Sequence, residues 1–104
     1  MHTSVLTIET GAFGNCFSLI NAVLNCRIKK LDSMLFYECK NLQNITIPNS
    51  IDFIDDSFNG CVKLQEIVFE GLMEEWNRIS RNKNWKNSIP ATVIKCNDGN
   101  ISIN

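Results

Sequence analysis

The chain has 104 residues, enough for one domain or one domain and a tail, since ordinary domains run to roughly 100 to 200 residues. Apolar residues make up 44% and charged residues 20%, with only 5 glycines and 2 prolines, which excludes a low-complexity, collagen-like or disordered chain. Ten basic residues against eleven acidic ones leave a net charge of -1, so nothing in the balance draws the chain to nucleic acid or to an anionic membrane.

The first residues, Met1 to Thr10, have neither the basic flank nor the apolar core of a signal peptide. No stretch approaches the roughly 20 apolar residues that span a bilayer, so membrane insertion is not expected. Export would need residues upstream of Met1, and the sequence reads equally as a module of a longer protein.

From there the chain repeats itself. The phrase F-x-x-C-x-x-L occurs as Phe13, Cys16, Leu19, then Phe36, Cys39, Leu42, then Phe58, Cys61, Leu64. Each leucine is followed by an alternating apolar pair: Ala22 and Leu24, Ile45 and Ile47, Ile67 and Phe69. Alternation of this kind marks a short strand with one buried face. A second apolar pair precedes each phrase: Val5 and Ile8, Ile28 and Leu31, Ile51 and Ile54. Strings such as Asn44-Ile45-Thr46-Ile47, followed by Pro48 and Asn49, oppose a helical bundle. The pattern predicts an α/β repeat solenoid of about three coils, 4–26, 27–49 and 50–71, with strands stacked about 4.8 Å apart.

Cys16, Cys39 and Cys61 then read as a reduced, buried column in the turns. Zinc ligation would call for a local C-x2-C pair, and there is none. Cys26 falls outside the column and is the expected exposed thiol; with Cys96 it makes the total five, so at least one thiol is free or pairs between chains.

Beyond residue 71 the period changes. Leu72, Trp76 and Ile79 share one helical face, with Glu74 and Glu75 in the first turn, which predicts a helix over 72–80. The run from Ala91 to Cys96, the turn residues Asn97 to Asn100 and Ile101-Ser102-Ile103 predict a β-hairpin over 91–103. Helix and hairpin together, residues 72–104, are expected to cap the solenoid end. Trp76 and Trp85, beside Arg78, Arg81, Lys83 and Lys86, are read as anchors of that cap and not as a stacking platform for nucleic acid or glycan.

These strings resemble a known family. Phe36-Tyr37-Glu38-Cys39-Lys40-Asn41-Leu42-Gln43-Asn44-Ile45-Thr46-Ile47-Pro48-Asn49-Ser50-Ile51 and Ser57-Phe58-Asn59-Gly60-Cys61-Val62-Lys63-Leu64 resemble the BspA-like leucine-rich repeats, written A-F-x-x-C-x-x-L-x-x-I-x-I-P-x-S-V-x-x-I. The tail, with Gly71, Glu75-Trp76, Ile79, Trp85, Ile94, Cys96 and Asp98-Gly99, is similar to the cap that closes such arrays. Leu35 replaces the alanine of the second copy, the third copy is one residue short, and the first has Ala22, Asn25 and Cys26 in place of Ile, Pro and Asn. The resemblance implies a right-handed leucine-rich-repeat superhelix and secreted or cell-surface recognition proteins, without catalytic residues or cofactors.

The residues agree that catalysis is not expected. The one histidine, His2, lies at a terminus. Glu74 and Glu75 diverge on a helix, Asp55 and Asp56 occupy a turn, and the glycines form no phosphate loop. Asn44-Ile45-Thr46 and Asn100-Ile101-Ser102 match the glycosylation sequon, which matters only in a eukaryotic secretory path. Stacking instead predicts two outward columns, Asn21, Asn44 and Glu66 beside Val23, Thr46 and Val68, as a surface for a protein partner or host molecule. The alternative is a structural fragment that ends a longer array, with self-association through Val5, Leu6 and Ile8 on the uncapped first coil.

Overall fold

A computed structural model describes residues 19–24, 28–31 and 35–103. Phe13, Cys16, Cys26 and the proposed self-association residues Val5, Leu6 and Ile8 lie outside the described residues.

Two ladders of strands build the fold. The larger contains β1 (Asn21–Val23), β3 (Asn44–Pro48), β5 (Glu66–Glu70), β7 (Val93–Cys96) and β8 (Gly99–Ser102) in that spatial order. The first four are parallel, and β8 returns antiparallel to β7. The smaller ladder stacks β2 (Lys30–Leu31), β4 (Phe53–Ile54) and β6 (Ser80–Arg81), all parallel. The second, third and last turns each contribute one strand to each ladder, giving a β-solenoid of about three turns among the described residues, with β1 the described strand of the first coil. Among the described residues helix is confined to α1 (Met73–Arg78).

Alternation decides which way each strand faces. Ala22 and Leu24, Ile45 and Ile47, Ile67 and Phe69, and Ile94 all point inward and are buried. Leu31 and Ile54 line the opposite wall, and the leucines Leu19, Leu42 and Leu64 close the corner between phrase and strand. All belong to one continuous core that also takes in Trp76, Trp85 and Ile79, so the C-terminal segment shares the interior of the coils.

The phrase F-x-x-C-x-x-L is a tight double turn. Cys39 N–H donates to the Phe36 carbonyl at 3.0 Å and Cys61 N–H to the Phe58 carbonyl at 3.0 Å, and Leu42 and Leu64 then bond back to the cysteine carbonyls. The residue before each cysteine takes a left-handed backbone, φ 57° at Glu38 and φ 89° at Gly60. Glycine suits the second of these, because φ 89° strains any side chain and a Cβ on Gly60 would also lie 3.0 Å from the Glu38 Cα. The cysteines themselves are buried, and Cys61 Sγ donates to the Phe36 carbonyl at 3.1 Å. Burial, followed by the neighbouring Cys39, pushes the Cys61 thiol up to about 12.

The last turn is a fourth, stretched coil. Strands β3 and β5 pair at an offset of 22 residues, as in Ile45 with Ile67. Strands β5 and β7 pair at 27, as in Ile67 with Ile94, and β4 with β6 likewise, as in Phe53 with Ser80. The corner that takes residues 49–52 in the second coil takes 71–79 here, and the extra length is α1. Trp85 thereby occupies the place of Phe58, and Ala91 that of Leu64, with Ala91 N–H bonded to the Leu64 carbonyl at 3.1 Å. Phe36 stacks on Phe58 at 5.7 Å, and Phe58 meets Trp85 edge-on at 6.4 Å. Trp76 completes the aromatic column, 5.7 Å from Trp85 and 5.4 Å from Phe69.

The helix expected over 72–80 is shorter, and both ends show why. Leu72 is extended at φ -85°, ψ 157°, and Ile79 at φ -70°, ψ 128°, because Ser80 and Arg81 are drawn into the small ladder. Leu72 N–H donates to Glu75 Oε1 at 2.8 Å, and Met73 N–H donates to Asp98 Oδ1 at 2.8 Å, so the first turn is capped from the hairpin. Gly71 allows this corner to close, since a Cβ there would lie 2.6 Å from the Phe69 ring.

Candidate functional site

Because the ladders are in register, outward side chains are arrayed in files across the large sheet. One file holds Asn21, Asn44, Glu66, Val93 and Ser102, and the next holds Val23, Thr46, Val68, Lys95 and Asn100. The six residues singled out from the sequence, Asn21, Val23, Asn44, Thr46, Glu66 and Val68, are all half-buried on this face. The hairpin adds four more that the sequence reading did not include, Val93, Lys95, Asn100 and Ser102. Their signal was present: Val93-Ile94-Lys95 repeats the outward-inward-outward order of Glu66-Ile67-Val68, displaced by the five extra residues of the helical corner.

A polar chain crosses this face. Lys95 Nζ donates to Glu66 Oε2 at 2.6 Å. The Asn44 amide lies between Asn21 Oδ1, to which its nitrogen donates at 2.5 Å, and Glu66 Oε1, to which the same nitrogen donates at 3.1 Å when the amide, and the Asn21 amide facing it, are turned. The ion pair is largely solvent-exposed, with Lys95 at 54% and Glu66 at 39%, so it is worth only ~0.2–1 kcal/mol and acts chiefly to neutralise the face. Val23, Thr46, Val68 and Val93 supply the apolar surface between. Asn44, Gln65, Glu66, Thr92, Val93 and Lys95 rim a shallow depression of about 370 Å³.

Catalytic groupings expected to be structural are seen in structural roles. Asp55 Oδ1 accepts from Asp56 N–H at 2.9 Å and from Asn82 Nδ2 at 3.1 Å, so it ties the third coil to the fourth. Glu74 pairs with Arg78 one helical turn on, and Glu75 caps α1. Trp76 and Trp85 are 1% and 5% exposed, which leaves no ring face free for stacking a ligand. Arg81 instead lies over the Trp76 ring at 5.0 Å and donates to the Trp76 carbonyl at 2.8 Å. Cys39, Cys61 and Cys96 are not joined in disulfides, and Cys96 is half-buried, its thiol raised by burial and then by Asp98. Among the described residues no His, Cys, Asp and Glu side chains gather into a group that could hold a metal ion, and no helix is long and apolar enough to cross a membrane.

Comparison with known proteins agrees with this geometry. No curated protein matches the chain significantly. Among solved structures it is similar to a leucine-rich cell surface protein from Faecalibacterium prausnitzii A2-165, with 26% identity and a TM-score of 0.54. The match covers 74% of this chain and 28% of that one, so the chain spans less than a third of its structural relative. The family model described as the BspA type leucine-rich repeat region (6 copies) matches residues 1–99. With stacked strands, a phenylalanine and cysteine turn in the second and third coils and this match over nearly its whole length, the chain belongs to the BspA-type leucine-rich repeat family.

Proposed function

We propose that the outward face of the large sheet is a non-catalytic recognition surface for a protein partner, carried on a cell-surface or secreted protein. Membership of a leucine-rich repeat family supports a protein-interaction module, and the cell-surface relative supports the compartment. The observation that carries the placement is the register, which lays ten outward side chains in two files across five strands. Repeats of this kind offer a broad surface and not a deep pocket, as the shallow depression beside Glu66 illustrates. A face whose one ion pair is internally neutralised would bind through amide, hydroxyl and aliphatic contacts, so affinity would depend little on salt.

The test is a double substitution, Thr46→Arg with Glu66→Lys. Both side chains point away from the core, so the fold should survive, while binding to a partner captured from the surface of contacting cells should be lost. Unchanged affinity in a folded double variant would remove the proposal.

A second reading, that this segment ends a longer array, is favoured by β8. It turns antiparallel to β7 and so stops the parallel ladder. Both roles can belong to one module.

A further inference from the structure

The charges of the C-terminal segment can be followed one by one. Its three carboxylates are engaged: Glu74 with Arg78 at 2.7 Å, Glu75 with Leu72 N–H at 2.8 Å, and Asp98 with Met73 N–H at 2.8 Å. Its fifth cation, Lys95, is neutralised by Glu66. Arg81, Lys83 and Lys86 therefore have no carboxylate partner among the described residues. Two of them meet in one place. Arg81 and Lys86 line a cleft of about 260 Å³ at the end of the solenoid, walled by Trp76, Trp85, Ile101 and Ile103.

Their present partners are backbone carbonyls. Arg81 Nη1 donates to the Trp76 carbonyl at 2.8 Å, at the close of α1, and Lys86 Nζ donates to the Ile103 carbonyl. A guanidinium has five N–H donors, and this arrangement uses one, so a planar pair of donors is left for a second group. Burial also lowers the Arg81 pKa, as expected of a cation partly removed from water with no anion beside it. Fixed against the Trp76 ring, the guanidinium loses little further freedom when it binds.

We propose that this cleft is an acceptor site for a carboxylate of a partner protein, an Asp or Glu side chain held by Arg81 with Lys86 alongside. A carboxylate matches the planar donor edge of arginine and neutralises both cations, and the aliphatic stem of the incoming residue packs on Ile101 and Ile103. The cleft borders the outward sheet face at Ser102, but none of the charged groups of that face lines it, so the proposal does not rest on the recognition surface proposed above.

The experiment follows the indole N–H resonances of Trp76 and Trp85 by NMR. The chain is titrated at constant ionic strength with N-acetyl-glutamate methylamide and, separately, with the uncharged glutamine analogue. Saturable shifts are expected with the glutamate probe alone. Arg81→Gln retains a donor for the Trp76 carbonyl and should weaken glutamate binding about tenfold, the effect of removing a charge-assisted contact. Lys86→Gln should weaken it less, and decides the matter if Arg81→Gln does not fold. Equal response to both probes, or binding unchanged in a folded variant of either cation, would overturn the proposal. So would binding that emerges only after Asn104 is deleted, because the chain's own end would then be the occupant.

Discussion

The second and third coils and the stretched fourth one solve the same packing problem with different residues. In the coils a column of phenylalanines and thiols repeats at 22 residues, and each side chain rests on its own equivalent, Phe36 on Phe58 and Cys39 beside Cys61. In the last turn Trp85 takes the aromatic place, Ser88 falls where a cysteine stood, and α1 fills the corner with Trp76. The difference shows that one interior can be filled by a short corner with small thiols or by a long corner with large rings. In this turn Trp85 packs edge-on against Phe58 and Trp76 against Phe69, so two large aromatic side chains fill the interior that the coils close with a phenylalanine and a cysteine.

The largest effect should come from the residue that joins the two regions. Phe58→Ala removes a ring packed between Phe36 and Trp85 and should cost about 3–5 kcal/mol of stability, measured by urea denaturation. If the cost were no more than that of a surface substitution, the aromatic column would not be what couples cap to coils.

Next is a difference in pH response. The Cys61 thiol has its folded value raised to about 12 from 9.0, so the folded state resists ionisation while the unfolded chain gains a thiolate. Stability from this group is fully present below pH 9 and is lost as pH rises from about 9 to about 12, by about 1 kcal/mol per pH unit. Cys61→Ala should flatten that slope in alkaline denaturation curves. Ser88, at the matching place in the last turn, has no such ionisation, so Ser88→Ala should leave the slope as it is.

The smallest effect tests how the last turn holds its helix. Asp98→Ala removes the acceptor of Met73 N–H and should cost about 1 kcal/mol, with a lower melting temperature and weakened helical circular dichroism. Asp98→Asn keeps an acceptor and should lose less.

Most of the coil architecture was legible in the sequence because its side chains recur at a nearly constant interval, and a constant interval is what stacking requires. Ile45, Ile67 and their neighbours announced both the strand and its inward face. The outward files follow from the same count, which puts Asn44, Thr46, Glu66 and Val68 on the face away from the core. The fourth coil was not read as a coil for one physical reason: the helical insertion moves Trp85 and Ile94 off the interval, and a tryptophan in place of phenylalanine hides the match. Lys95 was missed with it, and so was the neutralisation of Glu66. The inward residues of the small ladder, Leu31 and Ile54, recur ahead of the second and third phrases, but a two-residue strand such as Phe53–Ile54 is too short to show the alternation that marks a strand. Burial of both tryptophans was foreseen, yet the cleft between Arg81 and Lys86 depends on how Ile103 returns to the helix, which local sequence does not encode.

The hydrogen bond from Met73 N–H to Asp98 has a consequence for the order of assembly. Six residues are too few to hold a helix in water, since nucleation alone exceeds what so short a segment recovers. Its cap lies 25 positions further along the chain, so α1 has no finished first turn until the hairpin has been made and docked. During synthesis, then, the coils can stack as they emerge, while α1 with Trp76 waits for the β7–β8 hairpin and folds together with it.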